Sequence, residues 1–155
     1  MNKHKIFNKN YYFLLITSSK KIYLYYSDKN GFLMNVTKKI VLAEDNSMLA
    51  RVLKFRLEKE GYELYIASDG KDAIDLIEKH TPDFILTDIM MPFISGLEVI
   101  SHVRNILNLQ TPIIVFSAAG QEKIVLQAFD IGATDFMTKP LSPNELVLRL
   151  KRLLL

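Results

Sequence analysis

Apolar residues in this chain follow two rhythms that alternate from residue 38 onward. Ile40–Ala43, Phe84–Thr87 and Ile113–Phe116 are unbroken apolar runs, the pattern of strands buried on both faces. Glu63–Ala67 and Thr134–Met137 add two further strand segments. Between them the period lengthens to that of a helix. Leu49, Val52, Leu53 and Leu57 mark a first helix, capped by Asn46 or Ser47 and ended by Gly61. Ala73, Ile74 and Ile77 mark a second, after a turn at Ser68-Asp69-Gly70, and Thr81-Pro82 stops it. Gly96 to about Leu107 carries Val99, Ile100, Val103 and Ile106, and Gln121–Ile131 carries Ile124, Val125 and Ala128 before Gly132. A fifth helix starts at Pro143 and bears Leu146, Val147, Leu150, Leu153 and Leu154. Five strand–helix pairs in series predict an α/β fold: a doubly wound, five-stranded parallel sheet with right-handed crossovers and helices on both faces.

The first segment breaks this pattern. Asn, Lys, Tyr, Ile and Phe, whose codons are AT-rich, supply 21 of residues 1–34 but only 35 of the 121 that follow. Residues 1–37 are therefore expected to be an N-terminal extension outside the domain at 38–155, with Met34 as the true start. The other reading is a hairpin pairing Tyr11–Thr17 with Lys21–Tyr26 around Ser18-Ser19-Lys20. Neither run reaches the ~20 apolar residues of a membrane span, and no small-residue cleavage site follows Tyr11–Ile16.

Charge changes the picture once it is divided. The net +3 arises from the first 34 residues, which hold six Lys and one Asp, whereas residues 35–155 hold fourteen Lys and Arg against sixteen Asp and Glu. A mildly acidic folded part gives no footprint for nucleic acid, so no direct DNA binding is expected. The absence of cysteine excludes disulfides and thiolate chemistry, and three scattered histidines make a structural zinc site improbable.

The candidate chemistry sits where apolar runs end. Glu44 and Asp45 follow the first strand, Asp88 closes the third, Ser117 the fourth, and Lys139 the fifth. In an open parallel sheet these ends gather at one edge, where ligands bind. Carboxylates from two strand ends, a backbone carbonyl and waters suit a hard cation such as Mg²⁺. Asp88 can act as a nucleophile toward a phosphoryl group, with Ser117 and Lys139 neutralising its oxygens. Taken alone, Asp45 reads as a helix cap and Ser117 as a turn residue; the joint pattern exceeds these separate readings. No Gly-x-Gly-x-x-Gly, P-loop or Gly-x-Ser-x-Gly motif occurs. A Mg²⁺-dependent phosphohydrolase with an aspartyl nucleophile is the alternative, weakened because Met90 stands where such enzymes need a second aspartate.

Five motifs carry a family resemblance: Ile40-Val41-Leu42-Ala43-Glu44-Asp45-Asn46, Ala67-Ser68-Asp69-Gly70, Asp88-Ile89-Met90-Met91-Pro92 with Gly96, Ser117-Ala118-Ala119, and Gly132 through Pro140. In this order and spacing the chain from Lys38 resembles the receiver domain of two-component response regulators, in a stand-alone, chemotaxis-regulator-like form. The resemblance implies a flavodoxin-like (βα)5 fold and a cytoplasmic phosphoacceptor that is not itself an enzyme beyond slow Mg²⁺-dependent self-dephosphorylation. It implies Asp88 as the acceptor; Glu44, Asp45, Asp88 and the Met90 carbonyl as ligands of Mg²⁺, which Mn²⁺ can replace; and Ser117 and Lys139 as phosphoryl contacts. Phe136 becomes the aromatic switch, and the Lys139–Pro140 bond is cis. The expected partners are a sensor histidine kinase or a histidine phosphotransfer protein, and a downstream protein bound through the face within 121–155. Ser at 117 and Phe at 136 depart from the commoner Thr and Tyr of the family.

Overall fold

A computed structural model describes the backbone of residues 3–8, 11–18, 21–27 and 33–35, and residues 37–153 in full. Leu154 and the Ser19-Lys20 turn lie outside the described residues. The chain divides into two units, Met1–Lys38 and Lys39–Leu155. In the first, β1 (Lys3–Asn8), β2 (Tyr11–Ser18), β3 (Lys21–Ser27) and β4 (Leu33–Asn35) pair antiparallel in sequence order.

The second unit alternates strand and helix: β5 (Lys39–Ala43), α1 (Ser47–Lys59), β6 (Glu63–Ala67), α2 (Gly70–His80), β7 (Phe84–Asp88), α3 (Gly96–Ser101), β8 (Ile113–Ser117), α4 (Glu122–Asp130), β9 (Asp135–Thr138) and α5 (Pro143–Leu153). Its five strands are parallel in the order β6-β5-β7-β8-β9. Alternate side chains of each strand point to opposite faces, and here both faces are covered. Ile40, Leu42, Leu86 and Phe116 join Leu53 and Leu57 of α1 and Leu146 and Leu150 of α5 in one core. Val41, Ile85, Ile113 and Val115 join Ala73 and Ile77 of α2, Val99 of α3, and Val125 and Ala128 of α4 in the other. That two-sided burial is why the central strands read as continuous apolar runs.

Two positions expected on the inner stripes face water instead. Val52 is 49% exposed because Ala50, Leu53 and Leu57 define the buried line of α1, and Val52 lies more than a third of a turn off it. Ile106 is 67% exposed because α3 continues as a π-helical segment, His102–Ile106, in which the Leu107 N–H reaches back to the His102 carbonyl. The wider i→i+5 turn rotates Ile106 away from the line of Val99 and Val103. Among the described residues no helix is long and apolar enough to cross a membrane.

Two glycines seat the loop after β7. A Cβ on Gly96 would collide with the Asp88 carbonyl, and one on Gly70 with the Ile94 carbonyl. Backbone can approach that closely only without a side chain.

The second unit closes both of its own cores, so the chain lacking residues 1–38 is expected to keep its cooperative unfolding transition and melting temperature. Differential scanning calorimetry of the full and shortened chains checks this; a large fall on deletion would show that the first unit supports the second.

Candidate functional site

The strand order reverses between β5 and β7, since the chain runs from β5 outward to β6 and then returns across β5 to β7. Ligands of doubly wound sheets bind at such a switch point, beyond the carboxyl ends of the strands. Glu44 and Asp45 follow β5 and Asp88 closes β7, so their positions place them there. Their carboxylate oxygens come within 4.8 Å of one another. Glu44 and Asp88 are buried, while Asp45 is exposed. Asp45 is not the helix cap: the Asn46 side chain accepts from the Met48 and Leu49 amides, both at 3.1 Å, which leaves the Asp45 carboxylate for the site.

Lys139 comes from the far side of the sheet to hold this cluster. Its N–H donates to the Ser117 carbonyl at 2.7 Å, and its ammonium donates to Asp88 Oδ2 at 2.6 Å and to Glu44 Oε1 at 3.1 Å. The following bond to Pro140 is cis. Burial pushes the Glu44 carboxyl above its ordinary range, and the nearby Lys139 ammonium offsets only part of that shift. Burial alone would lower Lys139, but its hydrogen bonds to Asp88 and Glu44 outweigh it and hold the ammonium above its usual value. Burial thus favours the neutral form of Glu44, while its two carboxylate partners favour the charged form of Lys139.

A divalent cation fits these residues. Glu44 Oε2 is buried and faces the Lys139 ammonium at 2.9 Å, an ion pair without an aligned hydrogen bond. One ammonium faces three clustered carboxylates, so negative charge remains in excess at this edge. All the side-chain donors are oxygens, the preference of Mg²⁺.

The remaining expected residues fall around this cluster. Ser117 ends β8, buried, one position beyond Phe116, which pairs with Asp88. Met90 is exposed and its N–H donates to Asp88 Oδ1 at 3.2 Å. Phe136 does not enter the site. It is 36% exposed and packs edge-on against Phe129, ring centres 5.9 Å apart and planes at 88°. Its strand is fixed by the preceding residue: Asp135 accepts from Arg149 through both oxygens at 2.8 Å, and from Arg152 at 2.8 Å. Sequence reasoning missed Phe129. Its signal was available, because Phe129 lies one residue beyond the apolar line of α4, on the side that faces solvent.

Comparison with known proteins agrees with this geometry. The model of the response regulator receiver domain family matches residues 40–151. The receiver domain of the Francisella response regulator 1452 is 32% identical over 76% of this chain and 96% of its own, with a TM-score of 0.70. The chemotaxis response regulator CheY4 of Vibrio cholerae is 27% identical over 76% and 98%, with a TM-score of 0.71. A signal receiver domain of a histidine kinase from Syntrophus aciditrophicus is 29% identical over 76% and 90%, with a TM-score of 0.70. This chain belongs to the response regulator receiver domain family, whose members are phosphoacceptors in two-component signalling.

Truncating Lys139 would strand two buried carboxylates. Removing one partner of a buried ion pair costs about 3–5 kcal/mol, and the partial exposure of Lys139 screens that to about 2–3 kcal/mol for Lys139→Ala. Chemical denaturation measures it. Adding Asp88→Asn to the same chain is expected to recover part of the loss.

Proposed function

We propose that Asp88 accepts a phosphoryl group from the phosphohistidine of a sensor histidine kinase or a histidine phosphotransfer protein. The observation that carries this reading is the 2.6 Å contact of the Lys139 ammonium with Asp88, inside a cluster of three carboxylates at the sheet's switch point. One Asp88 oxygen attacks phosphorus in line, a P–O bond forms as the P–N bond to the donor imidazole breaks, and the imidazole leaves with its electron pair. Lys139 stays beside the transferred group, exchanging its carboxylate contact for a phosphoryl oxygen. Glu44, Asp45, Asp88 and the Met90 carbonyl would hold Mg²⁺, which would supply Lewis-acid neutralisation of the phosphoryl charge. Water then removes the phosphoryl group slowly at the same site.

The output follows from what the new charge attracts. The Ser117 hydroxyl donates to a phosphoryl oxygen, a charged hydrogen bond worth ~1.5–3 kcal/mol. That shifts a two-state equilibrium by about one to two decades. Phe136 leaves its outward contact with Phe129 and turns inward, changing the α4–β9–α5 face. A downstream protein reads that face in the cytoplasm, so the signal passes through protein contact rather than DNA.

Incubation with acetyl phosphate and Mg²⁺ is expected to add one phosphoryl group at Asp88, read by intact mass and peptide mapping. Labelling that survived in Asp88→Asn would place the acceptor elsewhere. Ser117→Ala is expected to accept the group at Asp88 while the Phe136 ring resonances stay at their unmodified positions. If that ring responded as in the unaltered chain, the Ser117 coupling would be wrong.

A further inference from the structure

Phe93 adopts a backbone conformation that aromatic residues rarely take. Its φ is +64°, and the Ile94 N–H donates to the Pro92 carbonyl at 2.8 Å, closing a three-residue γ-turn around it. A γ-turn with positive φ at its centre is rare and strained. Two other non-glycine residues among those described have positive φ, Thr81 and Asn108, and both stand where a helix ends. A left-handed residue there satisfies the last carbonyls of the helix. Phe93 ends no helix, and its side chain is 91% exposed. No packing within the second unit offsets the strain.

The surroundings explain how the strain persists. The Gly96 N–H donates to the Ile89 carbonyl at 2.9 Å, Gly96 lies against the Asp88 carbonyl, and Ile94 lies against Gly70. The loop is clamped on both sides, and Phe93 is its outward point. Strain that neighbours enforce is characteristic of functional positions. Phe93 is three residues from Met90, whose N–H bonds the Asp88 carboxylate, and three from Gly96. Three extended residues reach at most ~11 Å, about the width of one helix with its side chains.

We propose, resting on the reading of Asp88 as phosphoacceptor, that Phe93 is an aromatic anchor for the protein phosphodonor, filling an apolar recess beside that donor's phosphohistidine. A donor protein must bring phosphorus to bonding distance of Asp88, and a folded surface over Asp88 also covers Phe93. A small phosphodonor covers Asp88 alone. The loop favours an apolar contact: Ile89 to Leu97 carries no charge, and Met90, 61% exposed, extends the patch toward Asp88. Exposed Phe and Met at a rigid point are the residue types that interface cores concentrate.

The test times phosphotransfer to the full chain from two donors: acetyl phosphate, and an autophosphorylated histidine kinase chosen because it labels the unaltered chain. Phe93→Gly and Phe93→Asn both tolerate positive φ and remove the ring, while Phe93→Tyr keeps it. The first two are expected to lose about tenfold in kinase transfer, seen in KM, as befits loss of an interface anchor. Acetyl phosphate labelling holds in both, the melting temperature does not fall, since the strain at positive φ is relieved, and Phe93→Tyr transfers like the unaltered chain. Equal kinase rates for Phe93→Gly and the unaltered chain would overturn the anchor. So would parallel losses from both donors, which would make Phe93 part of the acceptor site itself. Failure of acetyl phosphate to label Asp88 in the unaltered chain overturns the underlying reading instead.

Discussion

The ammonium of Lys139, between Glu44 and Asp88, is the contact on which the rest of the site depends. Two carboxylates from neighbouring strand ends cannot share a buried edge without a counter-charge. The nearest one in the chain arrives from β9, two strands across the sheet from β7. The sheet order makes this geometry available. Parallel strands deliver all their carboxyl ends to one edge, and the reversal between β5 and β7 opens the crevice there. The two cores hold the strands rigid, so the charged edge is preorganised rather than assembled on demand.

Most of this edge was legible in the sequence because it combines two strong signals. Buried parallel strands are short apolar runs, and a charged residue ending such a run has few structural reasons to be there. Glu44, Asp88, Ser117 and Lys139 all fell at strand ends on that argument, and all lie at the carboxyl edge. Local chemistry was harder to divide. Asn46, Ser47 and Asp45 are all competent caps, and only the two amide bonds to Asn46 separate the cap from the site. The π-helical segment after α3 left no compositional mark, so Ile106 was placed on the wrong side of its helix. Phe93 was invisible for a different reason. Its meaning lies in a backbone angle and an exposure, and neither follows from a residue type that is ordinarily buried.

Two aromatic residues thus stand outside the cores in different settings. Phe136 has a partner, Phe129, in an edge-on contact that the proposed switch would exchange for burial. Phe93 is held outward by a clamped loop that begins at Asp88 itself. One belongs to β9, at the edge of the sheet, and the other to the loop that follows Asp88. In the proposed function, charge is delivered beside Phe93 and read beside Phe136.

The central claim is that this edge is built for a divalent cation, and thermal unfolding against Mg²⁺ tests it most directly. A ligand that binds only the folded chain stabilises it by about 1.4 kcal/mol at ten times its dissociation constant. The melting temperature of the unaltered chain is predicted to climb with Mg²⁺ and saturate, with the climb lost in Asp45→Asn. A flat response in the unaltered chain, or an equal climb in Asp45→Asn, would contradict the assignment of Glu44, Asp45 and Asp88 as a cation site.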